Sequence, residues 1–515
     1  MRERPRRARP HRWRQLSPLM KAAYIAATLA CTVIVVVGLG GYAVYRHLTG
    51  NIHHVSVAGL THRSVYGVQN ILLLGSQTRK GQGRGFGRNA SLDTSNSDNL
   101  MLVHLDPTHT HAIVLSIPRD TMVYEPGCQA RPSIGAGVWG PYQQAIIDGA
   151  MNIGGPSCAV KTVKALTDVP LDHFAMFDFN SFRTMVDAMG GVEVCVPRGG
   201  YHDPYSRLSL RGGLHLLTYN QALAYVRTRH GVEADGDVGG DLPRIMLQQA
   251  FASSVIQKVN RQGILSNTFQ LLKIANTATR ALTVDQGLDS VTKLLSLART
   301  MTHLRARNVT MITMPTVTDA AQYGRLLPEE PQDDVIFQML RDGQLWRHGL
   351  PTLAPGRVQV RVLNGTGIPR LASHTARQLR RLGFDVVATT NAPSPAPATT
   401  VSYSGTAQAD SAYTLMTRLQ VMPSAQNLLG EPAPQAGQPG PVTLTLGTGF
   451  AGVKPPPARR AGSRPGHHAA SRGSQPKTDT GGGSGTVTPA IQTRNAGAGL
   501  CTGLPKANPN PGSPP

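Results

Sequence analysis

The sequence predicts an α/β protein: a mixed sheet flanked by helices, set after one N-terminal transmembrane helix and followed by a small α/β domain and a disordered tail. Three observations carry this. Apolar β-branched runs alternate with amphipathic helical periodicity over residues 67–350. An uncharged apolar run lies between Lys21 and Arg46, and apolar periodicity stops from residue 451. At 515 residues the chain exceeds one compact core and suffices for two domains with tails.

Residues 1–21 form a basic segment with eight Lys or Arg against the single Glu3. The run at 22–45 is long enough, at about 1.5 Å per residue, to cross a hydrocarbon core of roughly 30 Å. A secretory signal would have an apolar core of only about 7–15 residues and then a small-residue cleavage site, so the run reads as an uncleaved anchor. The positive-inside bias keeps the N-terminus cytoplasmic and puts the rest of the chain outside a cell membrane crossed once. Cysteine usage agrees with that side: Cys31 sits in the span, Cys128 and Cys158 bracket one loop-and-helix stretch and are expected to pair, and Cys195 and Cys501 are left over.

Residues 46–66 read as a stalk, and "VQNILLLGS" then opens the large domain as a buried strand. "NLMLVHLD" and "HAIVLSIP" form a hairpin through "PTHT". Helical periodicity takes over at 143–153, 157–167 and 179–189, "GGVEVCVP" returns to strand, and 219–230 and 242–260 are amphipathic helices. Helices near 266–278 and 284–304, the strand "VTMITMP" and a helix at 334–341 close the domain near 350. A strand, Gly-rich turn, helix and strand over 357–391, with "TVSYSG" and "VTLTLG", make a second domain at 357–450. Residues 451–515, rich in Pro, Gly, Ser, Thr and basic side chains, read as the disordered tail.

The net charge, 51 minus 29 or +22, comes with no nucleic-acid-binding signature, so the expected partners are anionic lipids and wall polymers rather than DNA or RNA. No His or Cys spacing resembles a zinc site. Charge and amide groups gather where strands and helices end: Asp98 in "SNSDN", Arg119 at the tip of "IVLSIPRD", Arg227 and Arg229 in "AYVRTRH", and Asp241, Arg244 and Gln248 in "GGDLPRIMLQQ". Taken alone, these could be ordinary solvated ion pairs. Taken together, they suit a polyanion, because Arg forks match phosphate oxygens and a divalent ion bridges carboxylate to phosphate. The Ile, Leu and Val beside each motif could be plain core or a lipid cavity, and sequence does not separate the two.

The ordered motifs "NILLLGS", "SD", "VLSIPRDT", "VDAMGGVEV", "QALAYVRTRH" and "GDLPRI" resemble the LytR-CpsA-Psr family of envelope enzymes, in its actinobacterial branch, and 358–448 resembles the LytR C-terminal domain. The resemblance implies transfer of a glycopolymer (teichoic acid, arabinogalactan or capsule-like) from a polyprenyl-pyrophosphate carrier to peptidoglycan, with magnesium. It implies that Arg119, Arg227, Arg229, Arg244 and Gln248 bind pyrophosphate, that Asp98 and Gln77 hold the ion, and that Arg119 and Asp241 are catalytic, Asp241 as proton acceptor. Asp241 also reads as an N-cap, and Asp237 competes with it for the acidic role. The family usually has aspartate at Gln77 and arginine at Asn96 and Leu247. Arg79, Arg84 or Arg88 could restore a lost cation, or could simply belong to a basic loop. These departures motivate an alternative, a catalytically weakened binder of polyprenyl-pyrophosphate lipids or wall polymer. A membrane-bound transcriptional regulator ranks last, because the cytoplasmic segment is too short for a DNA-binding domain.

Overall fold

The computed structural model describes residues 17–61, 67–76, 96–132, 134–135, 137–230, 232–233, 241–261, 268–344, 346, 350, 352–405, 408–421, 423–427, 440–454 and 491–507. Gln77, Arg79, Arg84, Arg88 and Asp237 lie outside them.

Helix α1 (Pro18–Gly50) starts at Ser17, whose Oγ accepts from the Met20 amide at 3.3 Å. Among the described helices it alone is long and apolar enough to cross a membrane, and its apolar stretch is not buried against protein. The large domain then supplies strands β1 (His53–Val55), β2 (Gln69–Ser76), β3 (Ser97–Leu105) and β4 (Ala112–Ile117), and helix α2 (Gly149–Thr167). Next come β5 (His173–Phe177), α3 (Phe179–Ala188), α4 (Tyr219–Arg227), α5 (Leu242–Arg261) and α6 (Thr268–Ala281). Strand β6 (Leu282–Asp285), α7 (Val291–Thr300), β7 (Val309–Thr313) and α8 (Gln332–Arg341) complete it.

These strands form a mixed sheet in the order β1-β6-β5-β2-β3-β4-β7, extended at the β7 edge by one strand from the far C-terminus. Strand β2 pairs parallel to β5 and antiparallel to β3, and β4 is antiparallel to β3, so β2, β4 and β5 all end at the same edge. Side chains alternate as the strand period of two requires. Leu72, Leu74, Leu100, Leu102 and Leu115 pack on one face against Val160, Val163 and Phe337, while Ile71, Met101, Val114 and Met311 pack on the other. Burial on both faces explains why these strands read as continuous apolar runs.

The second domain is a five-stranded sheet. Its strands are β8 (Gln359–Asn364), β9 (Asp385–Asn391), β10 (Thr400–Tyr403), β11 (Ser424–Asn427) and β12 (Val442–Leu446), in the order β9-β8-β12-β10-β11, with helices α9 (Leu371–Arg381) and α10 (Ala409–Met416). Helix α8 belongs to both cores: Ile336 and Phe337 pack in the large domain, and Val335 packs with the second. Tyr403 donates to Asp334 Oδ2 at 2.6 Å across the same junction.

Five sequence expectations change. Tyr142–Ile146 is a strand paired with Met122–Glu125, not the start of a helix, because its backbone finds a partner across the loop. Residues 284–304 split, since the Asp285 carboxylate accepts from the Gly287 amide and ends β6 in a tight turn. The stalk is partly folded: α1 runs to Gly50, and β1 pairs parallel with β6. The tail is not disordered throughout, because Thr493–Asn495 forms strand β13, antiparallel to β7. Cys128 pairs with Cys158 as expected, but Cys195 and Cys501, expected to be left over, pair with each other across 306 residues, because the C-terminal segment folds back onto the large domain.

Because the Tyr403 hydroxyl serves a buried carboxylate, Tyr403→Phe is expected to lower unfolding free energy by about 1.5–3 kcal/mol in urea denaturation. Unchanged stability would show that the junction does not depend on this bond.

Candidate functional site

The site is built at the edge where β2, β4 and β5 end. Strand β4 stops at Pro118, which has no amide to extend the ladder, and delivers Arg119 to the tip. Strand β3 begins there with Ser97 and Asp98, and Arg119 Nη1 lies 2.5 Å from Asp98 Oδ1. The N-terminal turn of α5 brings Arg244, whose Nη2 donates to the Asp98 carbonyl at 3.1 Å. Just beyond the end of α4, Arg229 places Nε 3.2 Å from Asp241 Oδ1. Arg227, the last residue of α4, lies over the Phe179 ring at 4.9 Å. Gln248, one turn after Arg244, donates to the Val226 carbonyl at 3.1 Å.

Asp241 is the hub. It is 3% exposed, bonds Arg244 and Arg229, and lies 3.8 Å from Arg119 Nε. Burial pushes its carboxyl above the ordinary aspartate value, while Arg244, Arg229 and Arg119 pull the other way. Burial likewise lowers Arg244. For Arg119, burial disfavours the cation, but Asp241, Asp98 and Asp120 outweigh it and its pKa is raised. Asp241 does not line the adjoining cavity. Its contacts hold three guanidiniums in place from behind the cavity wall.

Arg119, Arg227, Arg229, Arg244, Gln248 and Asp98 all line one cavity of about 450 Å³. Behind them its wall is apolar, with Leu73, Met101, Phe182, Leu223, Phe251 and Ile256. The aliphatic crowding beside the motifs is therefore partly cavity lining and partly core. Leu247 is fully buried among Val186, Val194 and Phe251, so an arginine there would have no water or counterion to meet. Asn96 donates to Asp148 Oδ2 at 3.4 Å, and burial and then Asp120 push Asp148 up to about 6.

Magnesium takes one or two carboxylates and completes its shell with phosphate oxygens and water. Asp98, a hard oxygen donor in the cavity wall, fits such an ion beside a bound phosphate. Among the described residues one three-ligand group of His, Cys, Asp or Glu stands out, Glu125 with Cys128 and Cys158, and its sulfurs are consumed by the disulfide.

Sequence reading missed Asp203, which is fully buried and accepts from the backbone amides of Tyr205, Ser206, Arg229 and His230 at 2.9, 3.3, 3.0 and 3.4 Å. It fixes the loop that carries Arg229. The Asp-Pro turn in "HDPYSR" was the available signal.

Fold and site together define an α/β protein with a membrane-span candidate and an arginine-rimmed apolar cavity. The chain belongs to the LytR_cpsA_psr family, which matches residues 46–338, and the LytR cell envelope-related transcriptional attenuator family matches 357–450. The cell wall biosynthesis protein LcpA of Corynebacterium glutamicum is 28% identical over 406 residues, covering 72% of this chain and 76% of LcpA. The polyisoprenyl-teichoic acid–peptidoglycan teichoic acid transferase TagV of Bacillus subtilis is 29% identical over 269 residues, covering 49% of this chain and 61% of TagV. A LytR-Csp2A-Psr enzyme from Actinomyces oris is a solved structure 23% identical, with a TM-score of 0.43, covering 57% of this chain and 96% of that one.

Burial works against the Asp203 carboxylate, yet four amides hold its pKa below the ordinary 3.8. Its stabilisation is therefore complete above that value and is lost as pH falls through the folded value. Asp203→Asn is expected to lower the melting temperature at pH 7, with the gap to the parent closing below about pH 4. A gap independent of pH would contradict this assignment.

Proposed function

We propose that this chain transfers a glycopolymer from a polyprenyl-pyrophosphate carrier to peptidoglycan, anchored by α1 with its folded domains outside the membrane. The observation that carries the reading is the set of four arginines and Asp98 at the mouth of an apolar cavity. That combination suits a ligand with a diphosphate at one end and hydrocarbon at the other. The naming of TagV as a teichoic acid–peptidoglycan transferase and of LcpA as a cell wall biosynthesis protein supports the same chemistry.

The reaction is phosphoryl transfer. A peptidoglycan hydroxyl attacks the polymer-side phosphorus, a P–O bond forms as the bridging P–O bond breaks, polyprenyl phosphate leaves and the hydroxyl proton passes to a base. Arg119, Arg227, Arg229 and Arg244 hold the diphosphate and stabilise charge on the departing phosphate. Gln248, tied to the Val226 carbonyl, borders the same mouth. The apolar wall accepts the first isoprene units and excludes water. Asp98, with Gln77 as second ligand, would hold magnesium, which supplies charge neutralisation at the diphosphate when bound.

The test incubates the full chain in detergent with a synthetic polyprenyl-pyrophosphate glycan and peptidoglycan fragments, with magnesium or with a chelator. The parent is expected to release polyprenyl phosphate and coupled product only with magnesium, and Arg119→Ala to lose on the order of 100-fold or more in rate. Lipid binding without turnover in the parent would make the chain a binder.

A further inference from the structure

The C-terminal segment 491–507 follows the second domain in sequence but packs on the first. Strand β13 extends the large sheet at β7, and the Gln257 side chain on α5 donates to the Ala496 and Ala498 carbonyls at 2.7 and 3.0 Å. Arg494 is 8% exposed, and its Nε donates to Ser253 Oγ on α5 at 3.2 Å. Burial lowers its pKa, and it lies near Tyr225 of α4, two residues before Arg227. The Tyr201 hydroxyl donates to the Pro505 carbonyl at 2.8 Å.

Two further contacts fall on either side of the arginine segment. Upstream, Cys501 is bonded to Cys195 in strand Val192–Val196, which pairs with Gly213–Leu217, the strand that leads directly into α4. Downstream, Lys506–Ala507 pairs antiparallel with Val232–Glu233, three residues past Arg229. A loop carrying charged groups toward a cavity gains fixed position only where its ends are held.

We propose that segment 491–507 is a clasp that positions Arg227 and Arg229, holding their segment between the Cys195–Cys501 disulfide and the ladder from Lys506–Ala507 to Val232–Glu233. Its consequence for ligand rests on the reading of those arginines as a pyrophosphate site. The clasp itself does not. Cys501, Lys506 and Ala507 are positioning residues that touch no substrate, and they act through the backbone of 219–233.

The test uses the full chain in detergent with two readouts, hydrogen exchange over 225–233 and calorimetric titration with inorganic pyrophosphate. Two variants attack the clasp separately: Cys501→Ser removes the covalent tie, and Lys506→Pro breaks the ladder while leaving the disulfide. The control is Cys128→Ser with Cys158→Ser. Exchange at Val232 and Glu233 is expected to quicken at least tenfold in both clasp variants but not in the control. Pyrophosphate affinity is expected to fall several-fold in both clasp variants and not in the control. Unchanged exchange in Lys506→Pro, or equal quickening in the control, would overturn the clasp. Quickened exchange in both clasp variants, together with a parent that binds no pyrophosphate, would keep the clasp and sink the pyrophosphate reading.

Discussion

One buried carboxylate holds the site together. Asp241 lies among the guanidiniums of Arg119, Arg229 and Arg244, three cations drawn from a strand tip, a loop and a helix. Without it, Arg244, itself 5% exposed, would face other cations in a poorly solvated place. Removing one partner of such a cluster typically costs about 3–5 kcal/mol, because the remaining charges stay buried and unpaired. The anion therefore fixes the arginines in the cavity wall.

The rest of the molecule is arranged around that cluster. Three strands end at one edge, and the ladder from β2 to β4 sets Asp98 beside Arg119. Asp203 fixes the backbone at Arg229 through its amides. Helix α5 supplies Arg244 at its start, cavity wall at Phe251 and Ile256, and Gln257 to the C-terminal segment. Arg244 and part of the apolar wall thus lie on successive turns of one helix, which joins the charged rim of the cavity to its apolar interior. Two disulfides cross-link the large domain, Cys128 to Cys158 of α2 and Cys195 of strand Val192–Val196 to Cys501 of the C-terminal segment.

Much of this was legible in residues, for physical reasons. The strand at 112–117 announces itself by β-branched residues and by the proline that ends it, so Arg119 can be placed at a tip without any structure. Arg244 and Gln248 follow from helical spacing. Other features depend on partners distant in sequence. Thr493–Asn495 lies in a stretch without apolar periodicity and becomes a strand because β7 offers it an edge. Asp203 gains its role from amides 26 and 27 residues away. Leu247 looked like a lost arginine, yet it is a core residue whose place could be read only once α5 had been packed. Asp241 was visible as an acid, but its burial among three guanidiniums was not.

The most direct measurement is calorimetric titration of the parent and Asp241→Asn with a short prenyl pyrophosphate, alongside their melting temperatures. If Asp241 organises the arginines, the variant will bind at least tenfold more weakly and melt lower. If Asp241 instead only moves a proton, binding will be intact and turnover alone will be lost, which would contradict the role given to it here.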